Sequence, residues 1–289
     1  MNGYKVIPVV IIFYLSSCAS VKKNNNEKGR PFSAKEFPYI EKFHEGIRLK
    51  TQGQIDESIA QFEQCLLLKT TDDAVYYALS ELYLMKGDRE KSTENIKKAV
   101  KCDPKNIWYI QELAYMYFEK GQFESAAIEF EKLVKHEPRN VDWLYGYAEC
   151  LVKIGKIADA IKMLDKTQDQ VGMQPELAIQ KYNLYRTLKQ DDKALQEIYE
   201  ARVQFPDEPQ LLAVLIDHFI MLNQVDKATN VLEDLVRVMP QNGRAHLALA
   251  DIYHRQGNKT KSYRELKIAF SCNDVDIDSK LKILIDIHS

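Results

Sequence analysis

Small residues recur at a fixed interval through most of this chain of 289 residues. Seven positions hold alanine or serine, and each lies 34 residues after the one before it: Ser58, Ser92, Ala126, Ala160, Ala194, Ala228 and Ser262. A fixed period of this length is the sequence signature of an array of repeated units, here a pair of helices. Such arrays present an extended surface to other proteins, so the period favours binding over catalysis in a folded pocket.

Two further positions follow the same register and explain why it is kept. A large apolar residue comes four positions after each small one: Phe62, Ile96, Phe130, Leu164, Ile198, Leu232 and Leu266. Glycine comes five positions before it in five units, and Lys189 and Asn223 replace glycine in the other two. The small residue lets two helices approach, and the large one fills the space between them. Glycine permits the positive φ that ends the first helix.

This pattern resembles the tetratricopeptide repeat (TPR) family over about residues 39–276. The resemblance implies an all-α fold, a TPR solenoid of about seven helix-turn-helix repeats plus an unpaired C-terminal helix. In units five and six, Tyr182 and Ile216 occupy the close-approach site of the first helix. We expect those two units to pack at an altered angle.

Residues 277–289 continue the register as the first helix of an eighth repeat, or as a cap. This segment is apolar on several faces, whereas a terminal capping helix should be polar outside. Two explanations stay open. Another copy covers the segment by self-association, or the chain is the recruiting N-terminal part of a longer protein with an enzymatic or other domain beyond residue 289.

Residues 1–17 have the pattern of a signal peptide. Val6–Leu15 is an apolar run of ten residues, too short to span a bilayer. The run ends in Leu15-Ser16-Ser17-Cys18, which is similar to the bacterial lipobox. That resemblance implies cleavage before Cys18 and attachment of lipid to its thiol. The alternatives are a plain secretory signal and a buried apolar strand.

Residues 18–38 would then comprise the lipidated Cys18 and a flexible tether, because the segment is polar and poor in apolar residues. Two or more acyl chains hold a protein firmly on a membrane, whereas one anchors it only marginally. Ala19 and Ser20 lack the acidic retention signal of some bacteria. The predicted location is therefore the bacterial cell envelope, on the periplasmic side of the outer membrane.

We find no motif for catalysis, a cofactor or nucleic acid. The chain lacks GxSxG, HExxH, GxGxxG and Walker sequences, and a net charge of −2 without a basic stripe argues against nucleic-acid binding. Asp217, Asp251 and His254 could touch one metal ion, but a solvated polar face explains them better.

For Cys65, Cys102, Cys150 and Cys272, buried thiols are favoured over a disulfide between Cys65 and Cys102.

The candidate binding surface is the inner face of the repeats. The TPR resemblance implies that positions 2, 5, 9 and 12 of each first helix line this face. The predicted partner-binding groove comprises Phe43, Tyr77, Glu81, Trp108, Tyr115, Phe118, Tyr145 and Glu149. Aromatic residues with polar tips are common interface anchors, although Phe118 is expected to be half-buried. A basic or aromatic peptide, or an amphipathic helix, would suit such a groove.

Taken together, the sequence predicts a non-enzymatic, lipid-anchored TPR scaffold that holds a protein or peptide partner in the envelope. Assembly, secretion and outer-membrane biogenesis all fit this prediction. Position 5 lacks the lysine of TPR domains that clamp a C-terminal carboxylate, so that type of ligand is disfavoured. A self-associating structural lipoprotein is the alternative that needs no separate partner.

Overall fold

A computed structural model describes residues 36–278, 280 and 281 of the chain. Fourteen α-helices occupy these described residues. They are α1 (Phe37–Thr51), α2 (Ile55–Leu68), α3 (Asp73–Met85), α4 (Arg89–Cys102), α5 (Ile107–Glu119), α6 (Phe123–His136), α7 (Val141–Lys153), α8 (Ile157–Val171), α9 (Pro175–Thr187), α10 (Asp191–Gln204), α11 (Pro209–Met221), α12 (Val225–Val238), α13 (Gly243–Arg255) and α14 (Lys259–Ser271). The prediction of an all-α fold built from repeated helix pairs is confirmed.

The described residues divide into two compact units, with the boundary between Thr70 and Thr71. In the first unit, α1 packs against α2. In the second unit, each odd-numbered helix from α3 to α13 packs against the helix that follows it. The two helices of such a pair are called the first and second helix of a hairpin below.

The small residues of the 34-residue register lie where the two helices of a hairpin meet. Ser58 donates its hydroxyl to the carbonyl oxygen of Gly46 at 2.8 Å, and Ser262 donates to Ala250 at the same distance. The alanines at this position in the four central hairpins have no exposed surface. The register therefore marks a close backbone approach between helices, as the sequence predicted.

The turn inside each hairpin has one backbone geometry whether or not glycine is present. Gly155 has a φ of 77°, and Lys189 and Asn223 also take positive values of 56° and 53°. The amide of Gln190 bonds back to Tyr185 at 2.9 Å, and the amide of Gln224 bonds back to Phe219 at 2.8 Å. In each case the amide lies five positions after the carbonyl that accepts from it. This is the hydrogen bond of the Schellman motif, which closes a helix that ends in a left-handed residue.

Units five and six fill the close-approach site of the first helix with large side chains. Tyr182 and Ile216 are both buried there. The hydroxyl of Tyr182 lies 2.9 Å from Nδ1 of His218, which joins α9 to α11. The predicted change of packing angle in these units stays a prediction.

The end of the array lies only partly within the described residues. Residues 277, 278, 280 and 281 are helical, and the rest of the proposed eighth unit lies outside the described part. Ile277 and Leu281 are exposed, whereas Val275 is buried. No helix among the described residues has the length and apolar character needed to cross a membrane.

Candidate functional site

Three first helices of the second unit carry most of the predicted groove residues. Tyr77 and Glu81 lie on α3, Trp108, Tyr115 and Phe118 on α5, and Tyr145 and Glu149 on α7. Four aromatic residues and four carboxylates from these helices form what we call the aromatic face: Tyr77, Trp108, Tyr115, Tyr145, Glu81, Glu112, Asp142 and Glu149.

Trp108 is the most exposed aromatic residue of this face. It retains 69% of its possible surface, and Tyr115, two turns further along α5, retains 37%. The side chain of Asn106 caps α5 by accepting the backbone N–H of Trp108 at 3.2 Å. This cap fixes the start of the helix, so Trp108 is presented to solvent from a defined backbone position.

Tyr77 is partly buried because it stacks on a tyrosine of the next hairpin. Its ring centroid lies 5.0 Å from that of Tyr109, with an angle of 29° between the rings. Tyr109 also donates its hydroxyl to Asp73 at 3.1 Å. These two contacts join α3 to α5 and hold the Tyr77 ring in one orientation.

The other two predicted groove residues of α5, Tyr115 and Phe118, pack against the second helix of their own hairpin. Tyr115 meets Phe130 edge to face, with centroids 5.3 Å apart. Phe118 meets Phe123 in the same way at 5.5 Å. Phe118 is partly buried by this contact, as expected, whereas Tyr115 keeps enough surface to meet a ligand.

A hydrogen bond between side chains joins α5 to α7. Trp143 donates its indole N–H to the amide oxygen of Gln111 at 3.0 Å. Trp143 is almost fully buried, so this bond satisfies a donor that water does not reach readily. Gln111 occupies position 5 of its helix, where the carboxylate-clamping TPR domains would have lysine.

Carboxylates surround the aromatic side chains of α3 and α5. Burial, together with the charges of Glu81 and Glu112, raises the pKa of Tyr77 to about 12. Burial also raises the pKa of Glu112, and the nearby charges of Glu81 and Glu119 add to the effect. The region around Tyr77 is therefore acidic and partly desolvated.

The same combination recurs further along the array. Burial raises the pKa of Tyr115, and the charge of Asp142 on α7 raises it further. Burial and the charge of Glu176 on α9 raise the pKa of Tyr145. Each tyrosine of the aromatic face thus lies close enough to an acidic group to feel its charge.

Phe43 belongs to the first unit and packs within its own hairpin. Its ring stacks on Tyr39 at 6.0 Å and meets Phe62 edge to face at 5.6 Å. These contacts give Phe43 a packing role between α1 and α2. Its predicted share in ligand binding stays a prediction.

The other predicted sites are described only in part. Cys18 lies outside the described residues. Among the described residues, no group of three or more His, Cys, Asp or Glu side chains could hold a metal ion. Asp251, considered above as a metal ligand, forms a salt bridge with Arg255 at 3.0 Å.

Burial and the charge of Glu149 raise the pKa of the Cys150 thiol to about 12, which keeps it protonated.

Two residues that support the face were not singled out from the sequence. Tyr109 and Trp143 both occupy position 3 of their first helix and both contact the preceding first helix. The signal was present, because only these two units carry a large aromatic residue with a polar tip at that position. Both would have been identified from the expectation that position 3 of a first helix contacts the preceding first helix.

Comparison with known families matches four stretches of the chain, three of which overlap in series, to tetratricopeptide repeat profiles. The matched residues are 74–106, 95–127, 117–179 and 214–269. This chain is a tetratricopeptide repeat protein. A search of curated proteins found no significant match.

Solved structures resemble this TPR protein in fold. The C-terminal part of a TPR repeat-containing protein from Cytophaga hutchinsonii matches with a TM-score of 0.59 at 14% identity, over 86% of this chain and 99% of that one. A tetratricopeptide repeat protein from Parabacteroides merdae matches at 0.46 and 15% identity, over 88% and 100%. YrrB, described as a TPR protein with an unusual peptide-binding site, matches at 0.49 and 16% identity, over 63% and 97%.

The TPR fold supports a role as a protein-interaction scaffold, with proteins or peptides as partners. TPR proteins are generally scaffolds rather than enzymes. Because one fold serves many purposes, the particular partner must be argued from the surface that this chain presents.

Proposed function

We propose that this TPR protein is a lipid-anchored scaffold of the bacterial envelope that holds a segment of a partner protein on its aromatic face. The observation that carries the proposal is the exposure of Trp108 on α5, which also carries Tyr115 and whose neighbouring first helices carry Tyr77 and Tyr145. Tryptophan and tyrosine dominate the energetically important positions of protein interfaces. A monomeric protein gains little by leaving an indole ring in water, so its exposure favours a binding role.

Hydrogen bonds and ring contacts between the helices of the face support the same proposal. Tyr77 is held by Tyr109, and α5 is held to α7 by Gln111 and Trp143. A ligand would therefore meet side chains that are already ordered, which reduces the entropy lost on binding. Leu84, 40% exposed at position 12 of α3, adds apolar surface beside them.

Cross-linking in the native envelope tests the binding surface. The wild-type protein is compared with a variant carrying Trp108→Ala and Tyr145→Ala, and the captured proteins are identified by mass spectrometry. We expect the variant to lose the main partner. A matched control carries Tyr199→Ala and Tyr263→Ala, which remove exposed aromatic residues from second helices α10 and α14. Equal recovery of the partner by all three proteins would contradict the proposal.

The membrane anchor needs a separate test. Cys18→Ser should move the protein from the membrane fraction to the soluble fraction and abolish incorporation of labelled palmitate. Globomycin, which blocks removal of lipoprotein signal peptides, should cause a larger precursor to accumulate. A protein that stays in the membrane fraction without Cys18 would show that the lipobox resemblance is misleading.

Self-association is a second candidate function, favoured by the surface near the end of the described residues. Ile277 and Leu281 are 73% and 52% exposed there. Light scattering of the purified chain over a range of concentrations tests this idea. We expect Ile277→Ser with Leu281→Ser to reduce any dimer, and a monomer at every concentration would rule it out.

A further inference from the structure

A buried histidine occupies a position of the register that is otherwise apolar. His218 lies at position 10 of α11 and has no exposed surface. The four preceding first helices of the second unit hold buried apolar residues at this position: Leu82, Met116, Cys150 and Leu184. Nδ1 of His218 lies 2.9 Å from the hydroxyl of Tyr182, the residue that fills the close-approach site of α9. Two departures from the register therefore meet between the fifth and sixth hairpins.

The guanidinium group of Arg186 determines which nitrogen of His218 carries the proton. Its Nη1 atom lies 3.0 Å from Nδ1 of the ring, and its Nε atom is held by Asp191 at 2.8 Å. A guanidinium group can only donate, so the contact with Nδ1 is a hydrogen bond only when Nδ1 is an acceptor. Nδ1 therefore bears no proton, and the neutral ring carries its proton on Nε2.

The hydroxyl of Tyr182 completes the contact. It accepts a hydrogen bond from Arg186 at 3.3 Å and can donate its own proton to Nδ1 of His218. Burial raises the pKa of Tyr182, and the charge of Asp217 on α11 acts in the same direction, so the hydroxyl keeps this proton. Tyr182 and Arg186 of α9 both bind α11 through a single unprotonated nitrogen.

The surroundings of His218 oppose a positive charge on its ring. Nε2 is buried and has no hydrogen-bond partner among the described residues. Arg186 of α9 and Lys227 of α12 are cations that act on the ring, and Asp191 at the start of α10 partly offsets them. Burial, together with Arg186 and Lys227, lowers the pKa of His218 below its ordinary value of 6.5. An imidazolium ion would face a cation at Nδ1 and would have no acceptor at Nε2.

We propose that His218 is an acid-sensitive latch between α9 and α11: its neutral ring holds Tyr182 and Arg186, and a proton on Nδ1 releases them, so that the fifth and sixth hairpins loosen in mild acid. Once the hairpins open, the ring reaches water and takes up the proton without opposition. The stabilisation is therefore fully present above pH 6.5 and is lost as pH falls from there through the lower pKa of the folded protein. None of these residues belongs to the aromatic face, so this inference stands apart from the proposed function.

Hydrogen exchange of the purified protein provides the first test. Backbone amides are followed by mass spectrometry at about pH 7.5 and about pH 5, and each rate is divided by the intrinsic rate at that pH. We expect the protection of α9 and α11 to fall by about fivefold or more in acid, and the protection of α3 and α5 to change less. Unchanged protection of α9 and α11, or an equal fall in all four helices, would overturn the inference.

Variants of His218 isolate its contribution from those of the other titratable groups. His218→Gln and His218→Leu both remove the titration, and leucine is the residue that α9 has at the same position. Both variants should lose the additional fall in the protection of α9 and α11. The matched control, His136→Gln, removes an exposed histidine from α6 and should respond to acid like the wild type. Melting curves show which variants are folded, and a folded His218 variant that kept the full response would contradict the latch.

Arg186→Met distinguishes the latch from a histidine that is merely buried. Without the guanidinium group, the Tyr182 hydroxyl can turn and accept a proton from Nδ1, so the closed form tolerates a charged ring. NMR titration with ¹³C-labelled histidine should show His218 taking up its proton at a higher pH in Arg186→Met than in the wild type, and the loss of protection in acid should be smaller. The His218 signal is the one absent from His218→Gln. Identical titrations in the two proteins, or a wild-type His218 that titrates at or above pH 6.5, would refute the inference.

Discussion

Trp143 of α7 donates its indole N–H to Gln111 of α5 at 3.0 Å, and this bond joins two of the helices that carry the aromatic face. Trp143 is 6% exposed. Its donor therefore depends on one amide oxygen rather than on solvent.

Gln111→Leu should destabilise the protein, because it leaves the buried N–H of Trp143 without an acceptor. We expect the free energy of unfolding to fall by about 1–3 kcal/mol, measured by urea denaturation. The same change made in a Trp143→Phe background should cost much less, since no indole donor is then left. Equal costs in the two backgrounds would mean that the hydrogen bond contributes nothing to stability.

Lys189→Gly should stabilise the fifth hairpin. Lys189 has a φ of 56°, a conformation that costs a non-glycine residue about 1–2 kcal/mol and glycine almost nothing. The greater freedom of glycine in the unfolded chain offsets part of this gain, which leaves about 0.5–1 kcal/mol. Asn223→Gly should gain less, because asparagine tolerates positive φ better than lysine does. Thermal unfolding measures both changes.

Gly155→Lys is the matched reverse experiment in the fourth hairpin. Gly155 has a φ of 77° and open space around the position of an added Cβ, so any loss comes from the backbone rather than from a clash. We expect the melting temperature to fall. An unchanged melting temperature in both Lys189→Gly and Gly155→Lys would show that this turn does not select glycine.

Glu112→Gln should stabilise the protein at neutral pH and have little effect in acid. Burial and the charges of Glu81 and Glu119 raise the pKa of Glu112 above its ordinary value of 4.5. The folded protein therefore binds this proton more tightly than the unfolded chain. The resulting penalty is absent below 4.5 and grows as pH rises through the raised folded pKa.

Above that window, we expect the Gln variant to exceed the wild type by up to about 1 kcal/mol, since partial exposure screens the charge. Urea denaturation at several pH values measures the difference. Glu124→Gln, which removes a carboxylate from an exposed site on α6, is the control for the loss of a charge alone. A difference between Glu112→Gln and the wild type that persists unchanged in acid would point to packing instead of charge.

The fluorescence of Trp108 should report the negative charge around it. Trp108 is exposed and Trp143 is buried, so a soluble quencher acts mainly on Trp108. We expect Glu81→Gln with Glu112→Gln to increase quenching by iodide and to decrease quenching by caesium. The neutral quencher acrylamide should act equally on both proteins, and a parallel change with all three quenchers would indicate altered exposure rather than altered charge.

The 34-residue register was enough to predict the helices, their pairing and the buried positions. Phe62 and Phe130 are fully buried at the large apolar position, as their spacing from Ser58 and Ala126 predicted. The prediction succeeds because each hairpin has the same local geometry, so a given register position has the same surroundings in every repeat. The left-handed turn at Lys189 shows that the array imposes its geometry even where the sequence lacks the favoured residue.

The aromatic face was only partly predictable. The register placed Trp108 on a first helix, but it did not show that Phe43 packs within its own hairpin or that Tyr77 stacks on Tyr109. Those contacts depend on rotamers and on which neighbour is within reach. The acidic surroundings of Tyr77 come from Glu81 and Glu112, which lie on different hairpins.

The difference in charge between α3 and α4 has a mechanical consequence. The helix α3 carries two carboxylates and no basic residue, whereas α4 carries five basic residues and two carboxylates, so this hairpin has an electric dipole across its width. Beside an anionic surface such a dipole experiences a torque, which turns the lysine-rich helix toward the surface and the acidic helix away from it. Salt limits this effect to about 10 Å from the surface. On a tether, the aromatic face would thereby be directed outward, toward an approaching partner.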